Sequence, residues 1–308
     1  MGTVKRLGKL GQDSTKNPFP TDWKTYINTV LVKTYFDQPN IARMMADNIL
    51  PLQYDGKTEA EVPSLNDIDE AVVGMQPGVN DVEEDGGLIN VKTPQIYITA
   101  KKTDDEWKQL FAGRNRKGLL MERMGTKIKS REDLYTFRGK TGLTSGIISD
   151  ATDLGSPTGV WGASTNGKLI NALADVRGVI DTLDAAGVPN TFPVDIALTT
   201  YAHTLLESTD LDYKDYNNLE MVKKLLRGGN VYSSNNIQAS VTAASNTMFV
   251  SVRAPKSEPG WMLYASGFDY DRQDVLWGYR VGIRQKVAYK IYNASLVYKM
   301  DGISTSAT

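Results

Sequence analysis

The side chains able to do chemistry are few, and their spacing argues against most of it. His203 is the one imidazole in the chain, so a zinc site built from histidines is excluded and any Ser-His-Asp triad would have to use this residue. It lies in the run from Thr199 to Glu207 with no Gly-x-Ser-x-Gly elbow to present a serine, and it reads as a surface or satisfied core histidine. Cysteine is absent, which removes disulfides, thiolate nucleophiles and thiolate metal sites. Gly139-Lys140-Thr141 has the form of the end of a phosphate-binding loop, but Leu134 stands where the first glycine of that loop is required. Asp269-Tyr270-Asp271 opens like a calcium loop, yet Asp274 takes the place of the necessary glycine, so a solvated turn is expected. Asp210, Asp212 and Asp215 could gather a cation, but nothing fixes their geometry, and they read as a surface loop. No catalytic, cofactor-binding or metal-ligating residue is assigned, and the expectation is of a protein that is not an enzyme.

Charge is the chemistry that remains. The 35 basic and 36 acidic residues leave a formal charge of -1, so attraction to a partner must be local. One concentration runs from Arg114 to Lys140, where Arg114, Arg116, Lys117, Arg123, Lys127, Lys129, Arg131 and Arg138 outnumber Glu122, Glu132 and Asp133. A second is the Gly/Pro-rich opening with Lys5, Arg6, Lys9 and Lys16, an extended basic arm that can bury little. The third is acidic, at Asp81, Glu83, Glu84 and Asp85.

These charges need elements to hold them. Thr21 caps an expected helix over 22–36, a short helix over Ile41 to Asn48 follows, and Pro51 ends it. From 52 to 100 the pattern is a long hairpin, with Val72 and Val73 going out, an acidic tip, and a return through Leu88-Ile89 and Ile96-Tyr97-Ile98. Thr103 and Glu106 make a capping box that opens a long helix reaching Arg138. At its end Leu134 and Phe137 share one face, and Arg131, Glu132, Asp133 and Arg138 are expected to stay wet. Gly139 should stop the helix in the left-handed conformation, with Gly142 and Gly146 keeping the exit tight. Leu169, Leu173, Val176, Ile180 and Leu183 mark a second long helix closed by Gly187. Val194, Ile196 and Leu198 alternate as a strand, with helices at Tyr201 to Glu207 and Leu219 to Leu226 beyond it. Strands at 248–252, 260–264, 275–284 and 287–298 and a tail from Gly302 complete an α+β chain. No run approaches the ~18 apolar residues of a membrane span, and the first ten residues lack the apolar core of a signal peptide. A soluble chain with no leader and no membrane partner is expected.

The run Glu132-Asp133-Leu134-Tyr135-Thr136-Phe137-Arg138-Gly139, followed by Ser145-Gly146-Ile147, resembles the signature of encapsulins and of the tailed-phage major capsid proteins that share their fold. The similarity extends from about Pro94 to the end, through the strand that leads into the long helix, the strand-to-helix step at 187–207 and the glycine pair Gly228-Gly229. The resemblance implies a Hong Kong 97-type capsid fold. Its parts would be an N-terminal arm and first helix at 1–40, an extended hairpin loop (E-loop) at 52–100, a peripheral domain of 101–187 plus 271–308 with a spine helix at about 104–138, and an axial domain at 188–270.

It further implies a homo-oligomer of pentamers and hexamers, a major capsid protein forming an icosahedral shell around viral double-stranded DNA. Such a subunit would belong to the virion after assembly in the host cytoplasm, with scaffold, portal or decoration proteins as further partners. Arg114, Arg116, Lys117, Arg123 and Lys127 would face the lumen and its DNA. Lys5, Arg6 and Lys9 of one subunit would meet Asp81, Glu83, Glu84 and Asp85 of another. The long arm and long acidic loop depart from encapsulins, whereas residues 21–45 resemble the encapsulin helix that receives cargo, so a nanocompartment shell is the second reading. An α+β enzyme using Asp, Glu, Lys and Tyr is the reading from another class.

Overall fold

The computed structural model describes residues 40–52, 59–63, 88–103, 105–106, 116–140, 144–161, 170–207, 218–237, 245–256, 258–275 and 278–305. Helix α1 (Ile41–Met45) is capped by Asn40, whose side-chain oxygen accepts the Arg43 N–H at 3.0 Å. It stops short of its expected end because Asp47 is drawn to a distant part of the chain. The Asp47 carboxylate accepts the N–H groups of Ala254, Gly260 and Trp261 at 2.9, 2.7 and 3.3 Å. Strand β1 (Asn48–Leu52) therefore starts where helix was expected.

Strands β2 (Glu59–Pro63) and β3 (Leu88–Lys92) pair antiparallel, with Val62 opposite Ile89. They form the base of the expected excursion, while Val72, Val73 and the acidic tip lie outside the described residues. Ala60, Val62, Ile89 and Val91 pack on Leu52, Met262, Tyr264 and Ala288, so this base rests on the chain's own sheet instead of standing away from it. Strand β4 (Gln95–Thr103) ends in the capping box that the sequence anticipates. The Thr103 N–H donates to Glu106 Oε2 at 2.8 Å and the Glu106 N–H donates back to Thr103 Oγ1 at 3.3 Å.

Helix α2 (Arg116–Arg138) leads through β5 (Gly139–Lys140) and β6 (Thr144–Ser145) to a single turn, α3 (Ile147–Asp150), and to β7 (Thr152–Asp153). Then come α4 (Ile170–Ala185), β8 (Val194–Leu198), α5 (Thr200–Glu207), α6 (Asn218–Leu225), β9 (Val231–Ser233) and β10 (Ser245–Val252). The chain closes with β11 (Trp261–Ser266), β12 (Asp269–Val275), β13 (Gly278–Ile291) and β14 (Val297–Thr305). Three expectations are corrected here. Asp269 to Asp271 are ladder residues of β12 and not a turn, the strand break expected before Val287 is absent because β13 runs unbroken for 14 residues, and the tail from Gly302 continues β14 with Ile303 fully buried. The adjacent strand β13 holds β12 in a hairpin, while β4 along β13 and β10 along β14 are partners remote in sequence whose hydrogen bonds local pattern does not reveal.

One five-stranded sheet is built around β13, which pairs with β11 through Val287–Ile291 and with β12 and β4 further back; β1 joins β11 in parallel. The second has the order β7-β14-β10-β8-β9. All five residues of β8 are buried where alternation was expected, because both its faces are covered. Val194, Ile196 and Leu198 meet Val176, Val179 and Leu183 of α4, while Ala197 turns toward Phe249 and Phe137. Phe137 stacks edge-on to Phe249 at 5.6 Å, and Phe249 to Trp261 at 6.4 Å, so the last turn of α2 is clamped between the two sheets.

Candidate functional site

The end of α2 is where the distant parts of the chain converge. Glu132 and Asp133 are buried, not wet, and the reason is α1. Asp133 Oδ1 accepts the Ala42 N–H at 2.9 Å and Oδ2 accepts the Ile41 N–H at 3.4 Å, so a carboxylate from α2 satisfies the free donors at the N-terminus of another helix. Glu132 Oε1 accepts Arg43 Nε at 2.7 Å. Burial pushes the Asp133 carboxyl up to about 7 and the Glu132 charge adds to this, against the Ala42 and Ile41 N–H groups and Arg43. Asp47 is pushed up to about 6, again chiefly by burial, with the N–H groups of Trp261, Ala254 and Gly260 opposing.

The exit from α2 is equally constrained. Gly139 has φ +73° and Gly146 lies so near the helix end that an added Cβ would stand 2.1 Å from the Phe137 carbonyl oxygen. Arg138 reaches the other way and donates through Nε to the Asn236 carbonyl at 3.2 Å, and through Nη2 to that of Asn235.

Beside this junction is a groove of about 470 Å³ lined by Val91, Lys92, Tyr135, Asp150, Tyr289 and Ile291 among others. On its wall the Tyr289 hydroxyl donates to Asp150 Oδ2 at 2.6 Å and Ser145 Oγ donates to the same oxygen at 3.0 Å. Burial, then the bond to Asp150, pushes the Tyr289 phenol well above its ordinary range, so it stays a donor. Two hydroxyls donating to one carboxylate tie β6 and β13 to α3.

The residues singled out from sequence divide unevenly. Arg123 and Lys127 stand one turn apart on α2 and are both exposed. Arg116 and Lys117 fall in the first turn of α2. Arg114, Lys5, Arg6, Lys9, Asp81, Glu83, Glu84, Asp85, Asp210, Asp212 and Asp215, like the helix expected over 22–36, lie outside the described residues. His203 is half-buried on α5 with Nδ1 3.5 Å from Glu207 Oε1. Lys140 projects from β5 over the Tyr135 ring at 6.0 Å, in no phosphate loop. Among the described residues no group of three or more His, Asp or Glu side chains is placed to hold a metal ion.

Sequence reasoning missed the buried carboxylates. Asp195, fully buried in β8, accepts the Asn230 N–H at 2.8 Å and Arg253 Nη2 at 2.5 Å. Its one signal was a lone charge inside the apolar run Val194-Asp195-Ile196-Ala197-Leu198, which burial obliges to find a partner.

The fold has counterparts among solved structures. The chain aligns with the capsid of Myoviridae Phage XM1 at TM-score 0.58 and 10% identity, over 85% of this chain and 92% of that one. The chain has the Hong Kong 97-type capsid fold. A virus-like particle from Pyrococcus furiosus aligns at TM-score 0.54 and 11% identity, over 91% of this chain and 100% of that one. The holo-SrpI encapsulin complex from Synechococcus elongatus PCC 7942 aligns at TM-score 0.52 and 7% identity, over 87% of this chain and 89% of that one. No family model and no curated protein sequence matches the chain. Within the Hong Kong 97-type fold the run from Glu132 to Gly139 has a physical role at four positions: two buried carboxylates hold α1, Phe137 fills the junction of the sheets, and Gly139 turns the chain back.

Proposed function

We propose that this chain is the structural subunit of a closed protein shell, a major capsid protein whose copies assemble around double-stranded DNA. The observation that carries the reading is the fold itself: capsids and an encapsulin share it over most of their length and of this chain's. In this reading 1–40 is the N-terminal arm with the first helix, 52–100 the E-loop, and α2 the core of a spine helix. Residues 101–187 plus 271–308 form the peripheral domain and 188–270 the axial domain. The shell's stability comes from contact area repeated by symmetry, with interfaces each well over ~1,000 Å².

Exposed Arg123 and Lys127, with Arg114, Arg116 and Lys117, contribute phosphate contacts on the lumenal side. Lys5, Arg6 and Lys9 meet the acidic tip Asp81, Glu83, Glu84 and Asp85 of a neighbour. A cargo-holding shell is the second reading, supported by the alignment with an encapsulin over 87% of this chain and 89% of that one. Producing the full chain alone and asking whether assembled particles protect nucleic acid from nuclease separates the two. Protected DNA, lost at raised salt from opened particles, supports the capsid reading, and particles filled only with a co-purifying protein support the compartment.

A further inference from the structure

Strand β13 lies between β4 and β12, and among the described residues neither of these flanking strands has a second strand beside it. The direction of their free backbone groups follows from the ladder. The Val287 N–H donates to the Pro94 carbonyl on the β4 side, and the Lys286 N–H donates to Ser266 Oγ on the side of β11 and β12. Odd-numbered groups of β13 thus face β4 and even-numbered groups face β12. With Thr99 opposite Gly282 and Asp271 opposite Gly282, the register turns the N–H and C=O of Tyr97, Thr99 and Lys101 outward from β4, and those of Tyr270, Arg272 and Asp274 outward from β12. Tyr97, Thr99 and Lys101 are exposed. Open edges of nine and seven residues are templates for another strand.

The two edges differ in charge. Strand β4 carries Lys101 and Lys102 and no acid, whereas β12 carries Asp271 and Asp274 against Arg272, with a third acid, Asp269, paired to Arg284 at 2.6 Å. Pairing β4 with β4, or β12 with β12, would set like charges across the ladder; pairing β4 with β12 sets unlike ones. Both strands are antiparallel to β13 and so run the same way. We propose that the outer edge of β4 in one copy pairs in parallel with the outer edge of β12 in the next, joining copies of this chain head to tail into a ring through one continuous sheet. A contact between two different edges is heterologous, and repeating it closes a ring where its rotation divides a full turn. The proposal rests on the shell reading only in that copies of the chain meet one another.

The chain has no cysteine, so introduced thiols report this contact alone. Full-length chains carrying Thr99→Cys, Gln273→Cys or both are treated with a short bis-maleimide and resolved under denaturing conditions. The double variant is expected to give a ladder of dimers, trimers and larger species, each single variant only monomer, and a mixture of the two singles only dimer. Self-linking single variants, or a double variant that stays monomeric, overturn the proposal. Thr99→Pro, which deletes an outward N–H and spares the bonds to β13, should lower the assembled fraction at least tenfold with an unchanged circular dichroism spectrum; undiminished assembly overturns it. Closed shells without the ladder defeat this contact and leave the shell reading standing, and a ladder without shells does the reverse.

Discussion

Gly146 has no room for a methyl group, since a Cβ there would sit 2.1 Å from one backbone atom and 2.3 Å from another, both belonging to the last turn of α2. Neither can retreat as a flexible side chain could. Gly146→Ala is expected to cost ~3 kcal/mol or more by the scale of severe steric lesions, read as loss of soluble protein or a large fall in melting temperature. Asp133 makes a prediction about pH. Burial raises its carboxyl to about 7 in the folded chain, against an ordinary value of about 4 when unfolded. The native state therefore holds the proton more tightly, and the resulting stability is present at acid pH and lost as pH rises through 7. Asp47, raised to about 6, acts in the same direction. The melting temperature should fall between pH 5 and pH 8, and Asp133→Asn, which keeps an acceptor for the Ala42 N–H, should flatten that fall. Asp133→Ala, which leaves the Ala42 and Ile41 N–H groups without that acceptor, should cost ~1–2 kcal/mol at pH 5 and less as pH rises, because alanine does not titrate. The positive φ of Gly139 and the Thr103–Glu106 box were legible from sequence because both are local. The burial of Glu132 and Asp133 was not, because their partners are some 90 residues away and four nearby charges read as a solvated face.

Among the elements, α2 ties the others together. Its last turn fills the space between two sheets with Phe137, anchors α1 through two carboxylates, and starts the reversal at Gly139. Phe137→Ala should cost ~3–5 kcal/mol as a fully buried aromatic lost from a core, measured by denaturant unfolding. Because that core joins both sheets, the loss should appear as one cooperative transition moved to lower denaturant, and two separated transitions would contradict the packing. Helix α4 was readable over nearly its whole length, since Leu173, Val176, Ile180 and Leu183 repeat at helical spacing and Gly187 ends it at φ +75°. The C-terminal strands were readable in kind but not in extent. The length of β13 is set by β4, β11 and β12 along its flanks, and β14 runs past Gly302 because β10 continues to pair with it.

At the scale of the whole molecule, a chain of formal charge -1 with no assignable catalytic constellation among its described residues presents exposed cations on α2, a hairpin base laid on its own sheet, and two edges of unlike charge that no other described strand covers. The fold was visible in sequence through the residues that close α2, whose spacing is fixed by the packing just described. Reversing Arg123 and Lys127 to glutamate should leave melting unchanged, as both are exposed, and should reduce the nucleic acid recovered per assembled particle severalfold, measured by the ratio of absorbance at two ultraviolet wavelengths. The most direct test of the account is electron microscopy of the purified full-length chain under native salt. Closed particles with fivefold vertices, each holding many copies of the 33.9 kDa subunit, are the predicted result. A population consisting wholly of isolated subunits, folded and stable at every concentration tried, would contradict it.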